Sequence, residues 1–220
     1  TTQPGAQFVA ILAALGATFD VDGGRLTAMV DDHLLGADID LDFPSVGATE
    51  NLVMAAVLAK GTTVIDNAAR EPEIADLCAF LTAMGAQIEG VGSPVMKVHG
   101  VPAEDLRPVD HVTVPDRVEA ATYLAAVGVA GGAVTLEDAR PGHMGMLLRK
   151  LGDMGMTITT VDGGILAECD TRLSAVDVCT LPYPGVATDY KPLITTMLSL
   201  ADGTSIVTEN LFSGRFRYIE

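Results

Sequence analysis

The segment Pro44-Ser45-Val46-Gly47-Ala48-Thr49-Glu50-Asn51 sets small residues with free backbone N–H groups just ahead of an apolar run. This is how a helix N-terminus is offered to an anion: N–H groups point outward, with the positive end of the helix dipole behind them. Further on, Asn67-Ala68-Ala69-Arg70-Glu71-Pro72-Glu73-Ile74 places one Arg and two Glu on the turn into the next helix. Two other turns carry comparable groups, Val114-Pro115-Asp116-Arg117 and Gly185-Val186-Ala187-Thr188-Asp189. The first turn suits a diphosphate, the second sets a cation beside a carboxylate, and the third presents a carboxylate after a Pro-flanked loop. Each has a plainer reading. Ser45, Thr49, Asp116 and Asp189 are all good N-cap types. Arg117 is a first-turn residue, but a cation there opposes the helix dipole, which tips it toward function. Arg70 and Arg215 follow corresponding strands and read equally well as surface ion-pair partners.

The elements that must position these turns repeat. Gly61-Thr62-Thr63-Val64-Ile65-Asp66 is echoed by Gly132-Ala133-Val134-Thr135-Leu136-Glu137 and by Gly203-Thr204-Ser205-Ile206-Val207-Thr208. Ala83-Met84-Gly85-Ala86-Gln87-Ile88 is echoed by Asp153-Met154-Gly155-Met156-Thr157-Ile158, and Leu15-Gly16-Ala17-Thr18-Phe19 is a third copy. The period, roughly 70 residues, exceeds that of common solenoids and suits a compact supersecondary unit.

Each unit predicts a short first strand (39–43, 112–114, 176–181) and a turn into an apolar helix (49–59, 118–130, 189–200). A β-branched strand (62–65, 134–136, 205–208) and a second helix follow, the latter with Ile74, Leu77, Leu81 and Met84, or Met146, Leu147, Leu151 and Met154, at helical spacing. Two short strands close the unit (87–89 with 95–98; 157–160 with 165–168), which gives a βαβαββ pattern. The chain opens at a second helix (7–15) and stops after a second strand, so it reads as a piece of a larger enzyme.

The net charge of −16 argues against nucleic acid, whose phosphates need a basic surface. It leaves room for a phosphorylated small molecule held by a few Arg and helix N-termini. No apolar run reaches the ~18 residues of a membrane span, and no signal peptide is visible. Cys78, Cys169 and Cys179 read as inert buried thiols of a reducing cytoplasm, and four scattered His form no metal cluster.

The ordered motifs Pro44–Thr49, Asn67–Ile74, Pro115-Asp116-Arg117, Pro182-Tyr183-Pro184-Gly185-Val186-Ala187-Thr188-Asp189 and Arg215-Phe216 resemble those of the UDP-N-acetylglucosamine enolpyruvyl transferases. The resemblance spans nearly the whole chain. It is weaker toward the sister family acting on shikimate 3-phosphate. It implies an α/β fold, an inside-out α/β barrel built from βαβαββ units, in two domains each partly represented. Residues 1–111 would be the latter part of the UDP-sugar-binding domain, and 112–220 the first part of the second domain.

The implied substrates are UDP-N-acetylglucosamine and phosphoenolpyruvate, with no metal or organic cofactor and no membrane. Pro44, Ser45, Val46 and Gly47 would hold the uridine diphosphate part, and Leu211 would add a backbone contact to the nucleotide. Asp189 would contact the sugar and act as base for its hydroxyl. Arg117 and Arg215 would balance phosphate and carboxylate charge. The family's mobile loop, with its acid, matches the stretch before Thr1, so this chain alone is expected to be catalytically incomplete and to need the remainder of the enzyme. Gln3-Pro4-Gly5-Ala6 departs from the family's Arg-Pro followed by an Asp, which keeps another uridine nucleotide in view as acceptor. The missing loop keeps a non-catalytic nucleotide-binding relative in view.

Overall fold

A computed structural model of the chain describes residues 4–212 and 214–219, with 4–7 described in backbone only. Gln3 lies outside the described residues. The chain forms two compact units, Thr1–Val114 and Pro115–Glu220.

The first unit opens with α1 (Pro4–Ala14) and the hairpin β1 (Thr18–Asp22) and β2 (Arg25–Met29). Then come β3 (Asp38–Asp40), α2 (Val46–Val57), β4 (Thr62–Asp66), α3 (Pro72–Met84), β5 (Gln87–Glu89) and β6 (Val95–His99). The sheet order is β3-β4-β6-β5, with β3 and β4 parallel and the other pairs antiparallel. Parallel pairing follows from the helix: α2 carries the chain back so that β3 and β4 run the same way. Leu52, Val53 and Ala56 of α2 pack with Ile65, Ile74, Cys78, Met96 and Val98 in one core. Gly100 has no substitute, since a Cβ there would lie 1.6 Å from the Ala59 carbonyl oxygen.

The second unit contains α4 (Arg117–Ala130), β7 (Gly132–Glu137), α5 (Gly145–Asp153), β8 (Thr157–Val161) and β9 (Gly164–Cys169). It continues with β10 (Val178–Cys179), α6 (Lys191–Leu198) and β11 (Val207–Thr208). β7, β9 and β8 form an antiparallel sheet in that order, while β10 and β11 form a separate parallel pair joined through α6. Leu124, Leu151, Met154, Ile165, Tyr190, Ile194 and Met197 share its core.

The repeat is visible in backbone geometry. Gly16, Gly85 and Gly155 follow the second helices with φ of 93°, 121° and 104°. These left-handed turns are open to glycine at no steric cost. Asn67 and Asp138 stand just past β4 and β7 with φ of 56° and 60°, in the region that Asn and Asp tolerate best among residues with a side chain.

Three expectations need correction. Residues 112–114 form no strand: Val112 is 92% exposed. The chain just before it is drawn to α3 instead, where His111 Nε2 lies 3.1 Å from Asp76 Oδ1 and its ring packs 5.1 Å from that of Phe80. The second sheet therefore has three strands where the first has four. The strands expected at 176–181 and 205–208 shrink to two residues each. Cys179 is exposed while Cys78 and Cys169 are buried, because alternate residues of a strand face opposite ways and Val178 takes the inward one. Burial pushes the Cys78 thiol up to about 11, in keeping with an inert core residue.

Candidate functional site

In the first unit, Ser45 is the N-cap of α2 in extended conformation, and its hydroxyl accepts from the Ala48 N–H at 3.3 Å. The fully buried Thr49 does something else. Its hydroxyl donates to the Ser45 carbonyl at 2.9 Å and accepts the Ala69 N–H at 2.9 Å, which ties the helix start to the loop after β4. The N–H groups of Val46 and Gly47 have no hydrogen-bond partner among the described residues. A helix N-terminus with two spare donors on a half-buried turn has the chemistry to receive an oxyanion. Gly47 has open space where a Cβ would stand, so a ligand can approach its backbone closely. Beside it, burial and then the nearby Glu73 raise the Glu50 carboxyl above its ordinary range.

In the second unit, Asp116 caps α4, accepting the N–H groups of Val118 at 2.7 Å and Glu119 at 3.3 Å. Its N-cap role is realised. Asp116→Ala is expected to lower stability by about 1 kcal/mol, read as an earlier midpoint in urea unfolding. Arg117, next in line, is not the solvated residue of the plain reading: it is 8% exposed. Its guanidinium carbon lies 5.7 Å from the Tyr183 ring centroid and 5.6 Å from that of Tyr190, and Nη1 donates to the Tyr190 hydroxyl at 3.3 Å. Two phenol rings thus hold a buried cation in place.

Asp189 lies in a 3₁₀ turn, Thr188–Tyr190, just before α6, and its carboxylate does not cap the helix. It accepts instead from Arg215 Nη2 at 2.9 Å through Oδ1, both side chains being about half exposed. Oδ2 has no partner among the described residues. Arg215 also donates through Nη1 to the Thr188 hydroxyl at 3.3 Å and lies over the Phe212 ring. Two residues far apart in sequence, both singled out above, therefore meet.

Leu211 does not stand as a free backbone contact. Its N–H donates to Glu209 Oε1 at 2.8 Å, which leaves its carbonyl for a ligand. Glu209 is the residue the motifs overlooked. Its side chain is 2% exposed and it collects the Thr180 and Thr188 hydroxyls, Lys191 Nζ, and the Leu211 and Phe212 N–H groups, all within 2.6–3.0 Å. Burial alone would raise this carboxyl. The Lys191 ammonium, the two backbone N–H groups and Thr180 outweigh it and hold the carboxyl down to about 2.

The signal was in the repeat. An acid followed by Asn or Asp closes each second strand: Asp66-Asn67, Glu137-Asp138, Glu209-Asn210. Asn67 Nδ2 donates to the carbonyl of Leu41, just past β3, and Asn210 Nδ2 to that of Thr180, just past β10. Ala48-Thr49-Glu50 and Ala187-Thr188-Asp189 match in the same way, with both threonine hydroxyls bound to the loop that follows the second strand.

The first unit thus carries a helix start with two spare N–H donors, and the second a buried guanidinium and a carboxylate–guanidinium pair. A family model described as EPSP synthase (3-phosphoshikimate 1-carboxyvinyltransferase) matches residues 2–220, and the chain belongs to this family. Within it, the chain is 52% identical over 206 residues to UDP-N-acetylglucosamine 1-carboxyvinyltransferase 1 of Symbiobacterium thermophilum, covering 94% of this chain and 46% of that protein. It is 47% identical over 209 residues to the UDP-N-acetylglucosamine 1-carboxyvinyltransferase of Mycolicibacterium paratuberculosis, covering 95% and 49%. The chain spans about half the length of the curated relatives it matches. Among solved structures, the enolpyruvyl transferase NikO from Streptomyces tendae superposes with a TM-score of 0.84 at 22% identity, covering 98% of this chain and 54% of that one. EPSP synthase from Acinetobacter baumannii superposes at 0.65 with 20% identity, covering 93% and 48%. The fold is thus the α/β fold of the enolpyruvyl transferases. None of the described helices is long and apolar enough to cross a membrane.

Proposed function

We propose that the gene product carrying this chain transfers the enolpyruvyl group of phosphoenolpyruvate to the 3-hydroxyl of UDP-N-acetylglucosamine, the first committed step of peptidoglycan synthesis, in the cytoplasm. The observation that carries this reading is identity of 46–52% to proteins named for that acceptor, across 94–95% of the chain. The same names weigh against another uridine nucleotide as acceptor and against a non-catalytic relative. Residues 1–111 belong in this reading to the sugar-nucleotide domain and residues 112–220 to the second. The rest of the relatives' length supplies the remainder of the site.

The chemistry is addition followed by elimination. The sugar oxygen bonds to C2 of phosphoenolpyruvate while C3 gains a proton. The C2–O bond to phosphate then breaks, C3 gives up a proton, and the enol ether and inorganic phosphate remain. Asp189 takes the proton of the sugar hydroxyl through Oδ2, the carboxylate oxygen that has no partner among the described residues. Arg215, bonded to the other oxygen, holds that carboxylate in orientation and offers its remaining donors to the anionic co-substrate. Arg117 contributes a fixed guanidinium against phosphate or carboxylate charge. Pro44, Ser45, Val46 and Gly47 form the diphosphate turn, with the Val46 and Gly47 N–H groups as donors, and Leu211 offers its carbonyl to the nucleotide.

Phosphate release by the purified full-length gene product tests the reading. Release from phosphoenolpyruvate is expected with UDP-N-acetylglucosamine and not with uridine monophosphate or shikimate 3-phosphate. Release that is equal with uridine monophosphate, or that occurs only with shikimate 3-phosphate, would overturn it.

A further inference from the structure

The proposed site uses Asp189, Arg215 and Leu211, but none of them is anchored by the sheet. Asp189 and Arg215 are each about half exposed. The loop that carries Leu211 and Arg215 follows a strand of only two residues. What holds them is a buried ion pair with no assigned role.

Lys191 is 1% exposed and is the first residue of α6, two positions after Asp189. Its Nζ donates to Glu209 Oε2 at 2.6 Å and to the Arg215 carbonyl at 2.5 Å. It lies 4.0 Å from the Phe216 ring centroid and 5.8 Å from that of Tyr218. The Tyr218 hydroxyl in turn meets the Thr195 hydroxyl on α6 at 3.2 Å. Lys191 thus reaches both ends of the 209–215 loop from the helix that follows Asp189. Glu209 completes the closure from within the loop through its own bonds to Thr188, Leu211 and Phe212.

A lysine at a helix N-terminus opposes the helix dipole, and a buried ion pair is a poor source of net stability. Replacing a buried ion pair by apolar residues of similar volume is often neutral for stability. The arrangement makes sense as geometry: it sets the Arg215 backbone at one position relative to the turn that bears Asp189.

We infer that Lys191 and Glu209 are positioning residues, a buried clamp that fixes Arg215 against Asp189 for the enolpyruvyl transfer. The inference rests on the function proposed above. Neither residue touches substrate, and both act through Arg215 and the turn at Thr188. Misplacing a reacting group by an ångström is enough for a loss of about 100-fold.

The test uses the full-length gene product with Lys191→Met/Glu209→Gln, in the wild-type background and with Arg215→Ala. The glutamine amide keeps an acceptor for Thr180, Leu211 and Phe212, and no unpaired charge is left buried, so folding is preserved. The double variant is expected to unfold within a few degrees of wild type while kcat falls about 10- to 100-fold and KM for UDP-N-acetylglucosamine stays nearly constant. Adding Arg215→Ala is expected to cost far less in this background than in wild type, the mark of residues acting through one another. An undiminished kcat, or the same Arg215→Ala cost in both backgrounds, overturns the clamp. Lys191→Leu/Glu209→Gln, which likewise removes the ion pair and leaves no unpaired charge buried, is read in the same way where the first double variant does not fold. A wild-type protein that releases no phosphate with UDP-N-acetylglucosamine refutes the proposed function separately. Hydrogen exchange at Leu211, Phe212 and Phe216 then decides the clamp: faster exchange in the variant supports it, and unchanged exchange overturns it.

Discussion

Asp189→Asn in the full-length protein is expected to lower kcat by roughly 100- to 10,000-fold, the range a general base contributes. The amide keeps the size of the carboxylate and one oxygen for the 2.9 Å contact from Arg215, so the loop stays in place. What it loses is the ability to take the hydroxyl proton. KM for UDP-N-acetylglucosamine is expected to move much less than kcat, because the turn at 44–47, proposed to hold the diphosphate, is untouched. Steady-state phosphate release at varied sugar nucleotide separates the two effects. A variant with near-wild-type kcat would remove Asp189 from the chemistry and leave it as the partner that orients Arg215.

Glu209→Ala is expected to be the most destabilising single change among the site residues, by about 3–5 kcal/mol, because it strands the Lys191 ammonium in the core. It also removes the acceptor for two hydroxyls and two N–H groups. Urea unfolding at neutral pH measures the loss.

The same residue sets an acid sensitivity. Its folded-state carboxyl is held at about 2, below the ordinary value of 4.5. The unfolded chain therefore binds the proton first, so the contribution is fully present above about pH 5 and fades as pH falls from there toward 2. The shift from 4.5 to about 2 sets an upper figure of about 3 kcal/mol for the amount at stake. Unfolding midpoints of wild type and Glu209→Gln, followed from pH 7 to pH 3, are expected to converge on acidification. Parallel curves would show that Glu209 does not carry the dependence.

Much of the architecture was legible because it rests on local rules. The strand, turn and helix order came from Gly and β-branched spacing, and Ser45 and Asp116 are the N-caps that their side chains favour. The helix of Ile74, Leu77 and Leu81 formed as spaced, with Pro72 at its first position and Gly85 at its end. Where local rules and tertiary pairing disagreed, pairing won. Residues 112–114 have a strand's residue types but no neighbouring strand, and His111 is already engaged by Asp76. Thr49 has the chemistry of a cap, yet commits its hydroxyl to a loop twenty residues on.

By itself, then, the amino-acid order determined the repeat, the helix starts and the family, since each depends on residue types at short, fixed separations. Only the tertiary structure decided that Asp189 meets Arg215, that Arg117 is buried between tyrosines, and that Lys191 and Glu209 close the loop between them. Those contacts join residues 18 to 73 positions apart. No local propensity encodes such pairs. They exist because α4, α6 and the turn at Thr188 pack on one core, and packing sets which charges are left facing one another.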